Sequence, residues 1–188
     1  NTVFGDAETV LSFLSTKAAD LFAVPWAVAQ KHSLQTQLQD GIRYFDIRLF
    51  NETSNKDWVI THTFAGQHSF LAYLTDIATF IKTNPSEILV MEISHFDGTI
   101  TQNSLPQLMA AIIKALGPYL LPYNPNGIGN VTIAQMRSSN QRIIIGFDDQ
   151  ATAQANTKYV WYDPYILKNS YANTPKLSKM VAFNDHIV

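Results

Sequence analysis

The stretch Gly41-Ile42-Arg43-Tyr44-Phe45-Asp46-Ile47-Arg48, followed by Thr61-His62-Thr63, carries the most information about the fold. Aromatic and β-branched residues are frequent in the first run, which predicts a β-strand. Side chains alternate between the two faces of a strand, so Tyr44, Asp46 and Arg48 share one face. The opposite face is apolar, with Phe45, Ile47 and Leu49. A carboxylate and a guanidinium are therefore expected side by side at the end of this strand.

A second strand is predicted from Trp58 to His62, after a short polar loop over 51–57. Its alternation groups Trp58, Ile60 and His62 on one face. We expect His62 to lie near Asp46 and Arg48, at the same end of the two neighbouring strands. An arginine can hold an anion, a histidine can move a proton, and an aspartate can orient either partner. This set of side chains is typical of phosphoester chemistry.

The composition predicts one soluble globular domain over residues 1–188, with 46 % hydrophobic residues. The net charge of −2, from 13 basic and 15 acidic residues without blocks, argues against a nucleic-acid partner. No apolar run approaches the ~20 residues of a membrane span. The absence of cysteine excludes disulfides and thiol catalysis. Two glycosylation triplets, which start at Asn51 and Asn130, suit a secreted protein, although such triplets also arise by chance.

Helical and strand-like patterns alternate along the chain. Helices are predicted over 7–22, 33–38, 69–82, 105–116, 132–137 and 174–183, and further strands over 87–93, 142–147 and 158–162. Such alternation favours a parallel sheet covered by helices. An open doubly wound sheet is one alternative, but no glycine-rich phosphate loop follows any strand. Polar residues at the ends of successive strands favour a βα barrel, whose site lies at the carboxyl ends of its strands.

Several motifs together resemble one family, the catalytic X domain of the phosphatidylinositol-specific phospholipases C. They are the run over 41–48, the His62 strand, the segments 70–87 and 88–92, and more loosely the segment 170–183. The resemblance follows the chain in order over roughly residues 1–187, and it is most specific in the first half. It implies an irregular TIM-type (βα) barrel. Because such barrels typically need ~250 residues, the chain of 188 residues is expected to be incomplete at both ends.

The resemblance also implies catalytic roles. Family chemistry uses two histidines, and His62 matches the second, the general acid that protonates the leaving diacylglycerol alkoxide. The first histidine would directly precede Asn1, so we expect this chain by itself to be inactive. Asp46 would orient that missing base or the attacking inositol hydroxyl, and Arg48 would stabilise charge on phosphorus.

Calcium-dependent members of the family hold the ion with four oxygen ligands, and the matching positions here are Asn1, Asp46, Arg48 and Glu92. A fixed guanidinium would repel calcium while supplying positive charge to the phosphate. We therefore expect no metal and no other cofactor. The alternative is a calcium ion held by Asn1, Asp46 and Glu92.

Four further residues are candidates for contact with substrate: Glu92, His95, Asp148 and Asp163. Glu92 shares strand parity with Val90 and could pair with Arg48 or contact the ligand. His95 directly follows the predicted strand, and Asp148 and Asp163 lie where the family recognises the inositol ring. The aromatic residues Trp26, Tyr119 and Tyr123 could form a rim that touches lipid, or they could equally be ordinary partly buried side chains.

The leading functional hypothesis is a monomeric, metal-independent phosphodiesterase that cleaves phosphatidylinositol-type phosphodiesters during transient contact with a membrane surface. The inositol 2-hydroxyl would attack phosphorus and expel diacylglycerol, as in the family. A secreted or peripheral membrane location would fit this hypothesis. The alternative is a related domain without turnover that acts as a binding or structural protein.

Overall fold

The computed structural model describes residues 32–52, 57–62, 64–166, 172 and 174–187. They form a six-stranded sheet in the order β3-β2-β1-β4-β5-β6. The strands are β1 (Tyr44–Glu52), β2 (Asp57–His62), β3 (Phe64–Ser69), β4 (Leu89–Gly98), β5 (Ile143–Phe147) and β6 (Trp161–Tyr162). The helix predicted over 7–22 and the positions of Asn1 and Trp26 lie outside the described residues.

Six α-helices occur in the described part of the chain. They are α1 (Leu34–Gln39), α2 (Phe70–Thr83), α3 (Ser104–Leu116), α4 (Ile133–Ser138), α5 (Gln150–Ala155) and α6 (Leu177–Ile187). Polar side chains cap four of them by accepting a backbone hydrogen bond in the first turn, namely Ser33, Ser69, Thr132 and Asp149. Within the described residues, none of the helices has the length and apolar character needed to cross a lipid bilayer.

Strands β1, β4, β5 and β6 run parallel, whereas β2 and β3 are antiparallel to their neighbours. The expectation of a wholly parallel sheet is therefore wrong at this edge. Only a short connection separates β1 from β2, and a parallel pair needs a crossover of a dozen or more residues. A hairpin is the arrangement that so short a connection allows.

The main core lies between the sheet and helices α2 and α3. Leu74, Ile77 and Ile81 of α2 are fully buried there, against the core-facing side chains of β1 and β4. Phe45, Ile47 and Leu49 belong to this core, which confirms the apolar face predicted for β1. The parity of β1 thus turns Tyr44, Asp46 and Arg48 to the opposite side of the sheet.

That opposite side is apolar near the amino-terminal ends of the parallel strands. Leu121, Met136, Ile144 and Trp161 form a second buried cluster there, and the Trp161 indole Nε1 donates to the carbonyl oxygen of Leu121 at 3.1 Å. The cluster fills the base of this face. Side chains further along the strands are polar, and they form the candidate site.

Two strands are longer than predicted. β1 continues through Asn51, which pairs with Trp58 and with Gly98, so the predicted loop begins too early. β4 continues past residue 93 to Gly98, although its last residues are polar and exposed. Strand β3 and helix α5 were not predicted, because neither has enough apolar periodicity. Pairing with neighbouring strands extends β1 and β4 and forms β3.

Candidate functional site

Pairing between neighbouring strands places four residue positions in one row, on the face of the sheet opposite the main core. Asp46 of β1 pairs with Glu92 of β4, Glu92 pairs with Gly146 of β5, and Gly146 pairs with Trp161 of β6. Partners in a parallel sheet project to the same side. The pairing therefore makes Asp46 and Glu92 neighbours. They lie within their strands rather than at the strand ends, where they were expected.

Arg48 lies one step further along β1, level with Ser94 of β4. Its guanidinium Nη2 donates to the Asp46 carboxylate Oδ2 at 3.3 Å. The Arg48 and Asp46 side chains are 40 % and 43 % exposed, so this ion pair is open to solvent. Exposed pairs of this kind contribute only about 0–1 kcal/mol to stability. A role in stability therefore explains the pair poorly, and the guanidinium remains accessible to an anion.

Glu92 is buried beside this pair, with 3 % of its surface exposed. Its Oε2 accepts a hydrogen bond from the Tyr44 hydroxyl. Burial raises the pKa of the Tyr44 hydroxyl, and the hydrogen bond to Glu92 raises it further. Tyr44 therefore remains a proton donor that orients the Glu92 carboxylate. Tyr44 is a site residue that the sequence reasoning did not select, although the predicted parity had already placed it with Asp46.

Asp163 follows β6 and turns its carboxylate back over Gly146. A Cβ atom at Gly146 would lie 2.4 Å from Asp163 Oδ1, so only glycine leaves room for this carboxylate. Asp163 is 4 % exposed, and Oδ1 has no hydrogen-bond partner among the described residues. Burial, and then the negative charges of Glu92, Asp148 and Asp46, raise the pKa of Asp163 to about 6. A glycine inside a strand often marks such a close approach, so this signal was present in the sequence.

Ser94 is the second residue that the sequence reasoning missed. It shares the parity of Glu92, is 2 % exposed, and its hydroxyl Oγ has no hydrogen-bond partner among the described residues. Parity along β4 could have identified it. Ser94 lies level with Arg48, two residues further along the strands than the paired Asp46 and Glu92.

His95 forms a bulge in β4. Arg48 pairs with Ser94 but Leu49 pairs with Phe96, so His95 is an extra residue between the two pairs. Its φ of 53° lies in the left-handed region, which residues with a side chain adopt at a cost. The bulge returns Phe96 to the core face, where its ring is 4.9 Å from that of Phe147, and His95 is left exposed. Strained backbone of this kind is frequent at functional sites.

His62 is not brought to Arg48 by the strand register. Leu49 pairs with Ile60 in the antiparallel ladder, and both Ile60 and Trp58 pack on the core side of the sheet. The parity that groups His62 with Trp58 and Ile60 therefore points away from the Arg48 face, so the parity argument for His62 is wrong. His62 itself is exposed at the end of β2, opposite Phe64 of the hairpin. Its proposed role in proton transfer stays a prediction.

Asp148 is exposed directly after β5, and its backbone N–H donates to the Ile93 carbonyl oxygen at 3.0 Å. This bond holds Asp148 beside β4, where its charge acts on Asp163. Four carboxylates thus lie close together on this face of the sheet, those of Asp46, Glu92, Asp148 and Asp163. The described residues nevertheless contain no group of three or more His, Asp or Glu side chains arranged to hold a metal ion. Asn1 of the alternative calcium set lies outside the described residues.

The arrangement combines one accessible guanidinium with a group of carboxylates at different depths. Arg48 can hold a phosphate oxygen. Asp163, with its pKa near neutrality, can accept a hydrogen bond from a ligand hydroxyl or donate one to it.

The two tyrosines considered for a lipid-contacting rim have internal aromatic contacts, Tyr119 with the Arg142 guanidinium and Tyr123 with the Trp161 ring.

Comparison with known proteins relates this chain to one family. The family model described as PI-PLC X 1 matches residues 11–182. PI-PLC X domain-containing protein 1 of Mus musculus is 28 % identical over 130 residues, which are 68 % of this chain and 36 % of the mouse protein. PI-PLC X domain-containing protein 2 of Homo sapiens is 25 % identical over 160 residues, which are 84 % of this chain and 50 % of the human protein. The chain thus spans half or less of the length of these two relatives.

Solved structures of bacterial enzymes share the fold. Phosphatidylinositol-specific phospholipase C of Staphylococcus aureus superposes with a TM-score of 0.57 at 20 % identity, over 79 % of this chain and 48 % of that enzyme. The Listeria monocytogenes enzyme superposes with a TM-score of 0.53 at 24 % identity, over 70 % of this chain and 46 % of that enzyme. These neighbours are TIM barrels, and the open six-stranded sheet matches part of such a barrel. The predicted fold class is therefore confirmed, and the chain belongs to the PI-PLC X domain family.

Proposed function

We propose that this X domain belongs to a phosphodiesterase that cleaves phosphatidylinositol-type phosphodiesters without a metal ion. The observation that carries the proposal is the solvent-open Arg48–Asp46 pair beside the buried Glu92, in a chain with the X-domain fold. Arg48 would hold a non-bridging phosphate oxygen and stabilise the charge that develops on phosphorus. A fixed guanidinium does this without any metal, since it stays charged at every relevant pH.

Proton transfer is the second part of the proposal. In the proposed reaction the inositol 2-hydroxyl attacks phosphorus, and its proton passes to a base that Asp46 orients. The bond from phosphorus to the diacylglycerol oxygen then breaks, and that oxygen takes a proton from a general acid. His62 is the proposed acid, on family resemblance. His95 is the competing candidate, because it is exposed in the bulge directly after Ser94, the residue that pairs with Arg48.

Turnover of phosphatidylinositol in mixed vesicles by the whole protein that contains this X domain tests these roles. Arg48→Met should lower kcat by about 10²–10³-fold, the usual effect of removing one group that stabilises developing charge. Arg48→Lys should recover only part of this loss, since lysine cannot make paired contacts to phosphate. Arg137→Met is the matched control, because Arg137 is exposed on α4 and bonds the Ser86 carbonyl oxygen. Equal turnover of Arg48→Met and the unaltered protein would refute the role of Arg48.

The two histidines are separated by the same assay. His62→Gln should lower kcat by about 10²–10⁴-fold if His62 is the general acid. The same loss in His95→Gln, with His62→Gln unaffected, would assign the acid to His95. A substrate with a better leaving group should restore turnover in whichever variant lacks the general acid, because its leaving oxygen departs as a stable anion without being protonated.

A second candidate function is binding without turnover. The observation that favours it is the register of β1 and β2, which does not bring His62 to Arg48. A binding protein would retain vesicles that contain phosphatidylinositol, release no inositol phosphate, and lose retention in Arg48→Met. Measurement of binding and product release on the same vesicles distinguishes the two functions.

The proposal includes a monomer that touches the membrane surface transiently, without a nucleic-acid partner, and that is secreted or peripheral to a membrane. Glycosylation would support secretion. Asn130 is exposed at the end of a short 3-10 helix, and its amide nitrogen donates to the Asn126 carbonyl oxygen. Asn51 is half-buried within β1, and its amide nitrogen donates to the Thr99 carbonyl oxygen at 2.8 Å and to Ser104 Oγ at 3.2 Å. A glycan on Asn130 of the protein from its native source would support passage through a secretory pathway. A native protein found only inside the cell would contradict it.

A further inference from the structure

A cavity of about 460 Å³ opens between helices α2 and α3, at the carboxyl edge of β1 and β4. Its floor consists of three buried side chains of the main core, Trp58, Phe70 and Leu108. It therefore lies on the helical side of the sheet, whereas Asp46 and Arg48 lie on the opposite side. Cavities that bind small molecules typically have volumes of about 300–1,000 Å³. This cavity is large enough to hold one.

One wall of the cavity is polar and is held in place by hydrogen bonds. The Asn51 side-chain nitrogen donates to the Thr99 carbonyl oxygen at 2.8 Å and to Ser104 Oγ at 3.2 Å. The Thr101 backbone N–H donates to the same Oγ atom at 2.9 Å. These bonds join the ends of β1 and β4 to the start of α3, so the wall is formed before any ligand arrives. Binding to a preformed wall avoids the cost of ordering it.

The mouth of the cavity has apolar side chains and one amide that can bind a ligand. Leu71 lines the cavity and is 47 % exposed, and Ile100, 41 % exposed, lies in the chain between the lining residues Thr99 and Thr101. Gln107 is exposed on α3, and its side-chain amide has no hydrogen bond to the described residues. Since an amide both donates and accepts, Gln107 can bind a hydroxyl or a carbonyl group.

The lining also restricts the charge of a ligand. Among the described residues that line the cavity, none is an Asp, Glu, Lys, Arg or His. An anion or a cation would lose water of hydration there without gaining a partner of opposite charge, which is costly. An uncharged head group loses less hydration and can form hydrogen bonds at the mouth. A molecule with an apolar body and an uncharged polar head therefore suits this cavity.

We propose that this cavity binds an uncharged amphiphile, a molecule with a short alkyl chain and a hydroxyl or amide head. The alkyl chain packs on Trp58, Phe70 and Leu108, and the head bonds to Gln107 at the mouth. The ligand thus contacts β2, α2 and α3 at once. Because the cavity is on the other side of the sheet from Arg48, the inference is independent of the proposed function.

Calorimetric titration of the whole protein that contains this X domain tests the inference. The probes are 1-octanol, octanoate and octylammonium, which share one alkyl chain and differ in the charge of the head, each used below its micelle concentration. We expect 1-octanol to bind saturably, with an affinity at least about tenfold higher than that of either ion. Equal affinities of the three probes overturn the inference, and so does the absence of saturable binding by 1-octanol.

Two neighbouring alanines of α3 locate the bound probe. Ala111 is half-buried and lines the cavity, whereas Ala110 is exposed and does not line it. Ala111→Phe should weaken 1-octanol at least about tenfold, because the new ring takes up the space of the ligand. Ala110→Phe should leave the affinity unchanged. Equal affinities of the two variants would place the alcohol elsewhere on the protein and overturn the inference.

A gain of binding tests the site without relying on a variant with a filled cavity. Gln107→Lys places a cation at the mouth and should raise the affinity for octanoate about threefold or more, the effect of one exposed ion pair. Gln102→Lys is the matched control, because Gln102 is exposed and does not line this cavity. No increase in Gln107→Lys, or the same increase in both variants, refutes the site.

Discussion

The Asp163 carboxylate occupies the space that a side chain at Gly146 would fill, with Oδ1 2.4 Å from the position of an added Cβ. Glu92 pairs with Gly146 from the neighbouring strand. Because Gly146 has no side chain, the Asp163 carboxylate can lie next to the Glu92 carboxylate. The acidic character of the site thus depends on a glycine inside an otherwise apolar strand. The Gly146–Asp163 relationship leads to the first prediction.

Gly146→Ala should destabilise the fold by about 1–3 kcal/mol, the usual cost of forcing extra atoms into a packed site. The new methyl group displaces Asp163 and also approaches Ile166 Cδ1, 3.1 Å from the added Cβ. Chemical denaturation measures the loss. Gly129→Ala is the control, because no atom lies within 4 Å of its added Cβ. Similar effects of the two substitutions would contradict the close contact.

The raised pKa of Asp163 predicts a dependence of stability on pH. The folded protein binds this proton more tightly than the unfolded chain, whose aspartate titrates near 4. The free energy of unfolding should therefore fall as the pH rises from about 4 to about 6, by up to roughly 3 kcal/mol, and then level off. Asp163→Asn should remove this slope and raise stability at pH 7 by roughly 1–3 kcal/mol.

Denaturation of both proteins between pH 4 and pH 8 measures the difference. Asp76→Asn, on an exposed helix position, controls for the loss of one charge. An identical pH dependence in Asp163→Asn and the unaltered protein would show that Asp163 titrates normally.

His95 is held in the left-handed region at φ 53°, as is Asn140 at φ 62°. His95→Gly should relieve this strain and raise the free energy of unfolding by up to about 1 kcal/mol, since glycine adopts such angles without a steric cost. Asn140→Gly should instead cost about 1–3 kcal/mol, because Asn140 Oδ1 accepts two hydrogen bonds from the Arg142 guanidinium. Thermal and chemical denaturation compare the two. Destabilisation by His95→Gly would imply contacts of the imidazole that the bulge geometry does not explain.

Arg142 is a buried cation, 2 % exposed, that ties α2 to β4 and β5. Its guanidinium donates to the carbonyl oxygens of Ile81 at 2.8 Å, Asn84 at 2.9 Å and Glu87 at 3.3 Å. Arg142→Met should cost about 2–4 kcal/mol, because it removes three hydrogen bonds and takes the donor from the buried carbonyl oxygen of Ile81. The exposed Arg137→Met should cost less than about 1 kcal/mol. Near-equal losses in a denaturant titration would refute the structural role of Arg142.

The proposed role of Arg48 predicts activity that survives chelation. If its guanidinium supplies the positive charge at phosphorus, treatment with EDTA or EGTA should change phosphatidylinositol turnover by less than about twofold. Rates before and after chelation, and after addition of calcium, measure the effect. Turnover that is lost with a chelator and restored by calcium would support the alternative of a bound ion.

The sequence predicted more of the elements than of their arrangement. The alternation in β1 correctly separated Asp46 and Arg48 from Phe45 and Ile47, because the parity of a strand is a local property. The helices predicted to begin at Ser69 and Thr132 begin one residue later in the structure, where these two residues are the N-caps. The same argument failed for His62. Alternation shows which residues of one strand share a face, but it does not show whether that face packs on the core or lies on the opposite side of the sheet.

By itself, then, the sequence determined the family, the apolar face of β1 and the candidate residues Asp46, Arg48 and Glu92. Only the tertiary structure decided that Ile60 of β2 pairs with Leu49 on the core side, that His95 forms a bulge, and that Asp163 folds back over Gly146. The physical reason is the range of the interactions. Propensity and periodicity act over a few neighbouring residues, whereas register, bulges and close carboxylates arise between segments far apart in the chain.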